Sequence, residues 1–172
     1  NPGDRVATLA WNGYRHLELY YAISGIGAVC HTINPRLSSD QLTYIINHAE
    51  DLLLFVDLTF VPILEAVKEK LPPEIKIIIL TDKKNMPKTS LKTMCYEELL
   101  KNKPQKINWP DFNEDTAASL CYTSGTTGEP KGTLYSHRST VLHAMMIAIS
   151  LPDALKEGKK ILPVVPLFHV NA

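Results

Sequence analysis

The sequence has no surplus of charge: 18 lysines and arginines stand against 18 aspartates and glutamates. A chain without a basic excess is poorly matched to nucleic acid or an anionic membrane as its main partner. It also lacks an apolar run long enough to cross a bilayer, because Asp57 and Pro62 interrupt the nearest candidate, LLLFVDLTFVPIL. Nothing in it resembles a signal peptide. Cysteine is scarce: Cys30, Cys95 and Cys121 are an odd set without C-x-x-C spacing. That excludes a disulfide framework and a zinc site, and predicts reduced thiols in a cytoplasmic protein. Cys30 and Cys121 lie in apolar runs and read as small buried side chains. The histidines show no metal-ligand pairing, since His137 and His143 fall on different faces of a helix. G-x-G-x-x-G and G-x-S-x-G are both missing, which removes the dinucleotide fingerprint and the hydrolase serine elbow.

What is present is an ordinary globular composition, 45% hydrophobic over 172 residues, enough for one domain or part of a larger one. Strand-like runs (DRVATLAW, VCHTIN, LLLFVD, KIIILTD) alternate with helical patterns (YRHLELYYAISGIGA, SDQLTYIINHA, FVPILEAVKEKL, YEELLK). Ser38 with Gln41 three residues on fits a capping box, and Leu42, Ile45, Ile46 and Ala49 form one apolar helix face. Residues 83–93 and 102–115 carry prolines without a period and read as loops. This alternation predicts an α/β fold, a mostly parallel doubly wound sheet with helices on both faces. After residue 112 the pattern changes. AASLCYT and GTLYSH are too close for a parallel crossover, so they should pair as an antiparallel hairpin. A helix from about Ser139 to Leu151 with Ser136 as its cap should follow, and KILPVVPLFH should add one more strand.

The hairpin's link is YTSGTTGEPKG, residues 122–132. It has no hydrophobic period and cannot offset its ordering entropy by burial. Glycines let successive N–H groups face one anion. Thr123, Ser124, Thr126 and Thr127 add hydroxyl donors, and Lys131 a point charge. It is not a Walker A loop, because Pro130 precedes the lysine and a strand follows. On composition alone, a plain hairpin loop and an anion site both remain open.

The stretch resembles the phosphate-binding signature of the adenylate-forming enzymes: acyl-CoA synthetases, luciferases and peptide-synthetase adenylation domains. The likeness runs through GDRVATLAWN, GIGAVCHTINPRLSSDQLTYIINHAEDLLLFVD, LYSHRSTVLHA and VVPLFHVNA. NPRLS and PLFHVNA are similar to the bacterial medium- and long-chain fatty-acyl-CoA ligases. The resemblance implies a two-step reaction, in which a carboxylate attacks the α-phosphate of ATP and coenzyme A then displaces AMP. Thr123, Ser124, Gly125, Thr126, Thr127, Gly128 and Lys131 would hold the ATP phosphates. Thr123 would also bind magnesium, together with a glutamate outside this chain. Lys131 and His169 would be catalytic. Glu129, His137 and Arg138 receive no role, and Phe168 reads as core.

Members of that family run for several hundred residues. The resemblance therefore implies that residues 1–172 belong to an N-terminal AMP-binding domain. Its βαβ region would span 1–112, and the phosphate-loop hairpin, helix and following strand 113–172. Segments implied elsewhere include the ribose aspartate and a C-terminal domain with a catalytic lysine, so the piece alone should be inactive. The implied partners are ATP, a fatty acid and coenzyme A, without nucleic acid or an integral membrane segment, and uncovered apolar strands suggest a homo-oligomer. The alternatives are a non-catalytic nucleotide-binding module or an adenylating enzyme for another carboxylate.

Overall fold

A computed structural model of the chain describes residues 1–123, 128–153 and 156–169. The strands are β1 (Arg5–Leu9), β2 (Val29–Thr32), β3 (Leu53–Val56), β4 (Lys76–Ile79), β5 (Thr93–Cys95), β6 (Ala117–Thr123) and β7 (Lys131–Ser136). The helices are α1 (Tyr14–Gly25), α2 (Ser39–His48), α3 (Val61–Val67), α4 (Tyr96–Leu100) and α5 (His137–Ser150). Among the described residues the strands form one sheet in the order β5-β4-β3-β1-β2-β6-β7. Every pairing is parallel except β6 with β7, which is antiparallel.

The short apolar strands form because both sheet faces are covered. One face buries Ala7, Leu9, Leu54, Val56, Ile77 and Ile79 beneath Leu42, Ile45, Ile46 and Leu64 of α2 and α3. The other buries Val6, Cys30, Ile78 and Leu80 beneath Leu19 and Ile23 of α1 and Tyr96 of α4. Each such aliphatic side chain contributes about 1.5–3 kcal/mol when fully buried. The expected capping box starts α2: the Gln41 amide donates to Ser38 Oγ, and the Ser38 amide donates to Gln41 Oε1. Gly27, at φ +79°, makes the turn between α1 and β2, a conformation glycine adopts at low cost. Ser136 caps α5 by accepting from the Ser139 amide.

Two expectations need correction. Thr93, read as the end of a loop, and the unassigned Met94 and Cys95 form edge strand β5, because the Ile77–Ile79 backbone offers unpaired groups beside them. KILPVVPLFH forms no strand among its described residues. Pro163 and Pro166 have no N–H to give a ladder, and the backbone between them is held by a side chain instead.

Candidate active site

All strands that run parallel end on one edge, where open α/β sheets present their ligand crevices. Thr8 and Leu9 lead there to Trp11 and Asn12, Thr32 leads to Asn34, Val56 to Asp57, and β6 to Thr123. The glycine-rich link therefore opens at the carboxyl end of β6. Its two ends are set by the antiparallel register, with Thr123 opposite Lys131 and Tyr122 opposite Gly132. The hydroxyl of Thr123 and the ammonium of Lys131 thus stand at the two sides of the loop mouth, both exposed. Gly128 is exposed at φ +140°, a backbone that side chains rarely adopt, and Pro130 is buried. Ser124, Gly125, Thr126 and Thr127 lie outside the described residues.

The segment carrying His169 is fastened across the ends of β1 and β2. Asn12 Nδ2 donates to the carbonyls of Pro163 and Val165, each at 3.1 Å, and Asn12 Oδ1 accepts from the Leu167 amide at 2.6 Å. The Tyr20 hydroxyl donates to the Leu167 carbonyl, and burial raises the pKa of that phenol. Thr32 Oγ1 donates to the Phe168 carbonyl at 3.3 Å and lies 3.5 Å from Cys121 Sγ on β6. Thr32 thereby touches both the His169 segment and the strand that opens the phosphate loop. Phe168 is buried, as expected, with its ring 6.5 Å from that of Trp11. His169 is exposed beside it, and its amide donates to the Pro166 carbonyl.

Trp11 is itself anchored: its amide donates to Asp57 Oδ2 at 2.7 Å and its indole N–H to Thr59 Oγ1 at 3.0 Å. Desolvation raises the Asp57 carboxyl above its usual range. Behind Trp11, His16 Nδ1 lies 3.1 Å from the Trp11 carbonyl and Nε2 lies 2.9 Å from Thr8 Oγ1. A carbonyl only accepts, so Nδ1 carries the hydrogen and Nε2 accepts from the threonine. Burial pushes His16 down to about 4, so the ring is neutral at pH 7.

Sequence reasoning singled out Lys131, Thr123 and His169 but missed Trp11, Asn12, Tyr20, Thr32 and Asp57. The available signal was positional: Asn12 and Asp57 are polar residues just past strand ends, at the edge where ligands bind. Among the described residues no group of three His, Cys, Asp or Glu side chains could hold a metal ion. Thr123, exposed at the loop mouth, is a described oxygen that would suit such an ion, whose other ligands would then come from phosphates, water and a carboxylate elsewhere. Among the described residues no helix is long and apolar enough to cross a membrane.

Comparison with known proteins adds lineage to this geometry. The model for the family described as AMP-binding enzyme matches residues 1–172. The medium-chain-fatty-acid–CoA ligase of Ectopseudomonas oleovorans is 53% identical over 99% of the chain and 32% of that protein. A 3-methylmercaptopropionyl-CoA ligase of Ruegeria lacuscaerulensis is 51% identical over 99% and 32%. The long-chain-fatty-acid–CoA ligase of Thermus thermophilus is 45% identical over 99% and 30%. The chain therefore spans about a third of the length of these curated relatives. The fold alone is shared with the anthranilate CoA ligase AuaEII in complex with anthranoyl-AMP, at TM-score 0.78 and 23% identity over 87% of this chain and 28% of that one. It is shared also with ATP-bound MatB from Rhodopseudomonas palustris, at TM-score 0.75 and 21% identity over 98% and 31%.

Proposed function

We propose, from the premise that this chain belongs to the AMP-binding enzyme family, that the whole protein activates a medium- or long-chain fatty acid with ATP and passes it to coenzyme A. The observation that carries this reading is the loop mouth, where Thr123 and Lys131 face each other across one register pair at the carboxyl edge. Pyrophosphate is the leaving group when a carboxylate attacks the α-phosphate, and its developing charge needs donors already in position. In this reading the hydroxyls and glycine amides of residues 123–128, with the Lys131 ammonium, would be the donors. Magnesium, held by Thr123, the phosphates and a carboxylate elsewhere, would neutralise part of that charge. In this reading residues 1–172 are the early part of an N-terminal AMP-binding domain, and His169 is a residue of the adenylate and acyl site. The three buried cysteines fit a reducing, cytoplasmic compartment. The exposed apolar surface supports self-association.

Fatty-acid-dependent exchange of labelled pyrophosphate into ATP tests the reaction. Exchange with medium- and long-chain acids supports the proposal. The thioether-acid ligase relative favours a second substrate, so 3-methylmercaptopropionate belongs in the same panel. Exchange with that acid and none with fatty acids would replace the fatty-acid reading. Exchange with no carboxylic acid would leave a non-catalytic nucleotide-binding module.

A further inference from the structure

The first and last residues of the glycine-rich stretch, Tyr122 and Gly132, are outside the proposed phosphate-holding set, yet they form the base of the loop. They are register partners on β6 and β7. A methyl group placed on Gly132 would stand 3.2 Å from Tyr122 Cζ and 3.0 Å from Leu120 Cδ1, tighter than ordinary contact. Glycine leaves space here for the Tyr122 ring, which a side chain would have to push aside. Tyr122 thus touches both strands at the point where the loop leaves them.

The ring is also fixed from behind. Its hydroxyl lies 2.6 Å from His48 Nδ1 at the end of α2, and the two rings meet edge to face at 5.8 Å. The His31 ring packs against it at 5.1 Å. His31 is wholly buried and is bonded through Nδ1 to Asp51 Oδ2 at 2.8 Å. His31 Nε2 and Asp51 Oδ1 have no hydrogen-bond partner among the described residues. Burying such a pair with atoms unpaired costs stability, and its His31 ring packs directly against Tyr122. Burial pushes the Tyr122 phenol up to about 12, so it stays protonated at neutral pH.

We propose that Tyr122 is a positioning residue for the phosphate loop, clamping its base against Gly132 while His48 and the His31–Asp51 pair hold its ring from behind. This rests on the phosphate-binding reading of residues 123–131. Its chemistry is indirect: the ring keeps Thr123 and Lys131, the two described ends of the loop, at a fixed separation. Preorganisation of that kind raises affinity by cutting the ordering cost.

The test measures binding of inorganic pyrophosphate with magnesium to the full-length protein by calorimetry, beside the unfolding midpoint. Tyr122→Leu and Gly132→Ala should each weaken binding about tenfold or more, since small displacements at such sites are costly. Tyr122→Phe, which keeps the ring and loses only the bond to His48, should fold normally and lose less, about threefold. Because both large changes break one clamp, the double variant should bind no more weakly than the worse single variant. In pyrophosphate exchange the KM for ATP should rise while the KM for the carboxylic acid stays put, a split that general loosening of the fold would not give. Single-variant losses that multiply, or Tyr122→Phe and Gly132→Ala proteins that fold and bind like wild type, would overturn the inference while leaving the phosphate reading intact. Wild-type protein that binds no pyrophosphate would remove both.

Discussion

Asn12 and Leu167 are joined across 155 positions of sequence by a 2.6 Å hydrogen bond, the Leu167 amide donating to Asn12 Oδ1. The same side chain donates to the Pro163 and Val165 carbonyls. One amide thus does for residues 163–167 what a neighbouring strand would do for a segment with regular N–H spacing. Asn12→Ala should free this segment, at about 1–3 kcal/mol for the lost bonds. Asn12→Asp should keep the Leu167 contact and lose both donations. Amide hydrogen exchange over residues 163–169 should speed up most for alanine and less for aspartate. Exchange equal to wild type in both would show that Tyr20 and Thr32 suffice to hold the segment.

Much of this architecture was legible in the sequence, and the reasons differ by element. Runs such as Leu53–Val56 and Lys76–Ile79 announce strands covered on both faces, because nothing else buries such a run so briefly. The Ser38–Gln41 box announces α2 because its two hydrogen bonds are local. The hairpin followed from the length of its link. Edge strand β5 was illegible, since Thr93–Cys95 is a strand only because Ile77–Ile79 lies beside it. The 160–169 segment misled for the opposite reason: its apolar letters promised a strand, while two prolines and the Asn12 amide imposed another course. Within the candidate site, Thr123 and Lys131 are proposed from a contiguous motif. Asn12, Thr32 and Asp57 could not be read so, because their roles arise from contacts made far along the chain.

His16 should make the fold acid-sensitive. Burial holds its pKa at about 4 in the folded chain, against 6.5 for an unperturbed histidine. The unfolded state therefore binds the extra proton in this window. The resulting stability is complete above pH 6.5 and is lost as pH falls to about 4. The difference corresponds to at most about 3 kcal/mol. Urea unfolding of wild type and His16→Gln at intervals from pH 7 to pH 4 tests this. His16→Gln should be less stable at pH 7 and show a shallower decline on acidification. Parallel declines would assign the acid sensitivity to other groups whose pKa folding lowers, such as Glu65, whose carboxylate accepts from Thr89 and Ser90.

Lys131→Ala in the full-length protein should slow the adenylation step by the loss of one charged contact to departing pyrophosphate, about 2–4 kcal/mol at the transition state. Thioester formation from supplied acyl-adenylate should be nearly unaffected, since no pyrophosphate leaves in that step. Lys131 is exposed at the start of β7, so its removal opens no cavity in the core. Rapid-quench measurement of each half-reaction separates the two. Equal losses in both would mean that Lys131 supports a shared pocket rather than the leaving group.

Residues 1–172 alone should fold, remain catalytically silent and self-associate. Silence is expected because the chain spans about a third of the length of its ligase relatives, and a phosphate loop alone cannot align the α-phosphate for attack. The source of association differs for two of the three apolar runs, LLLFV, KIIIL and ILPVV, that suggested it. The strands in LLLFV and KIIIL are covered by helices, with Leu54, Val56 and Ile77–Ile79 all buried. The uncovered surface is elsewhere: α5 buries none of its described residues, and Val141, Leu142, Met145, Met146 and Ile149 are all exposed. Ile161, Leu162, Val164 and Val165 of the third run, ILPVV, add more, and β7 is one edge of the sheet among the described residues. A face of this kind pairs with another copy when nothing else covers it. Light scattering coupled to gel filtration should find dimers or larger species that Leu142→Glu with Met145→Glu returns to monomer. A monomeric wild-type chain would refute association through α5, and pyrophosphate release above a Lys131→Ala control would refute silence.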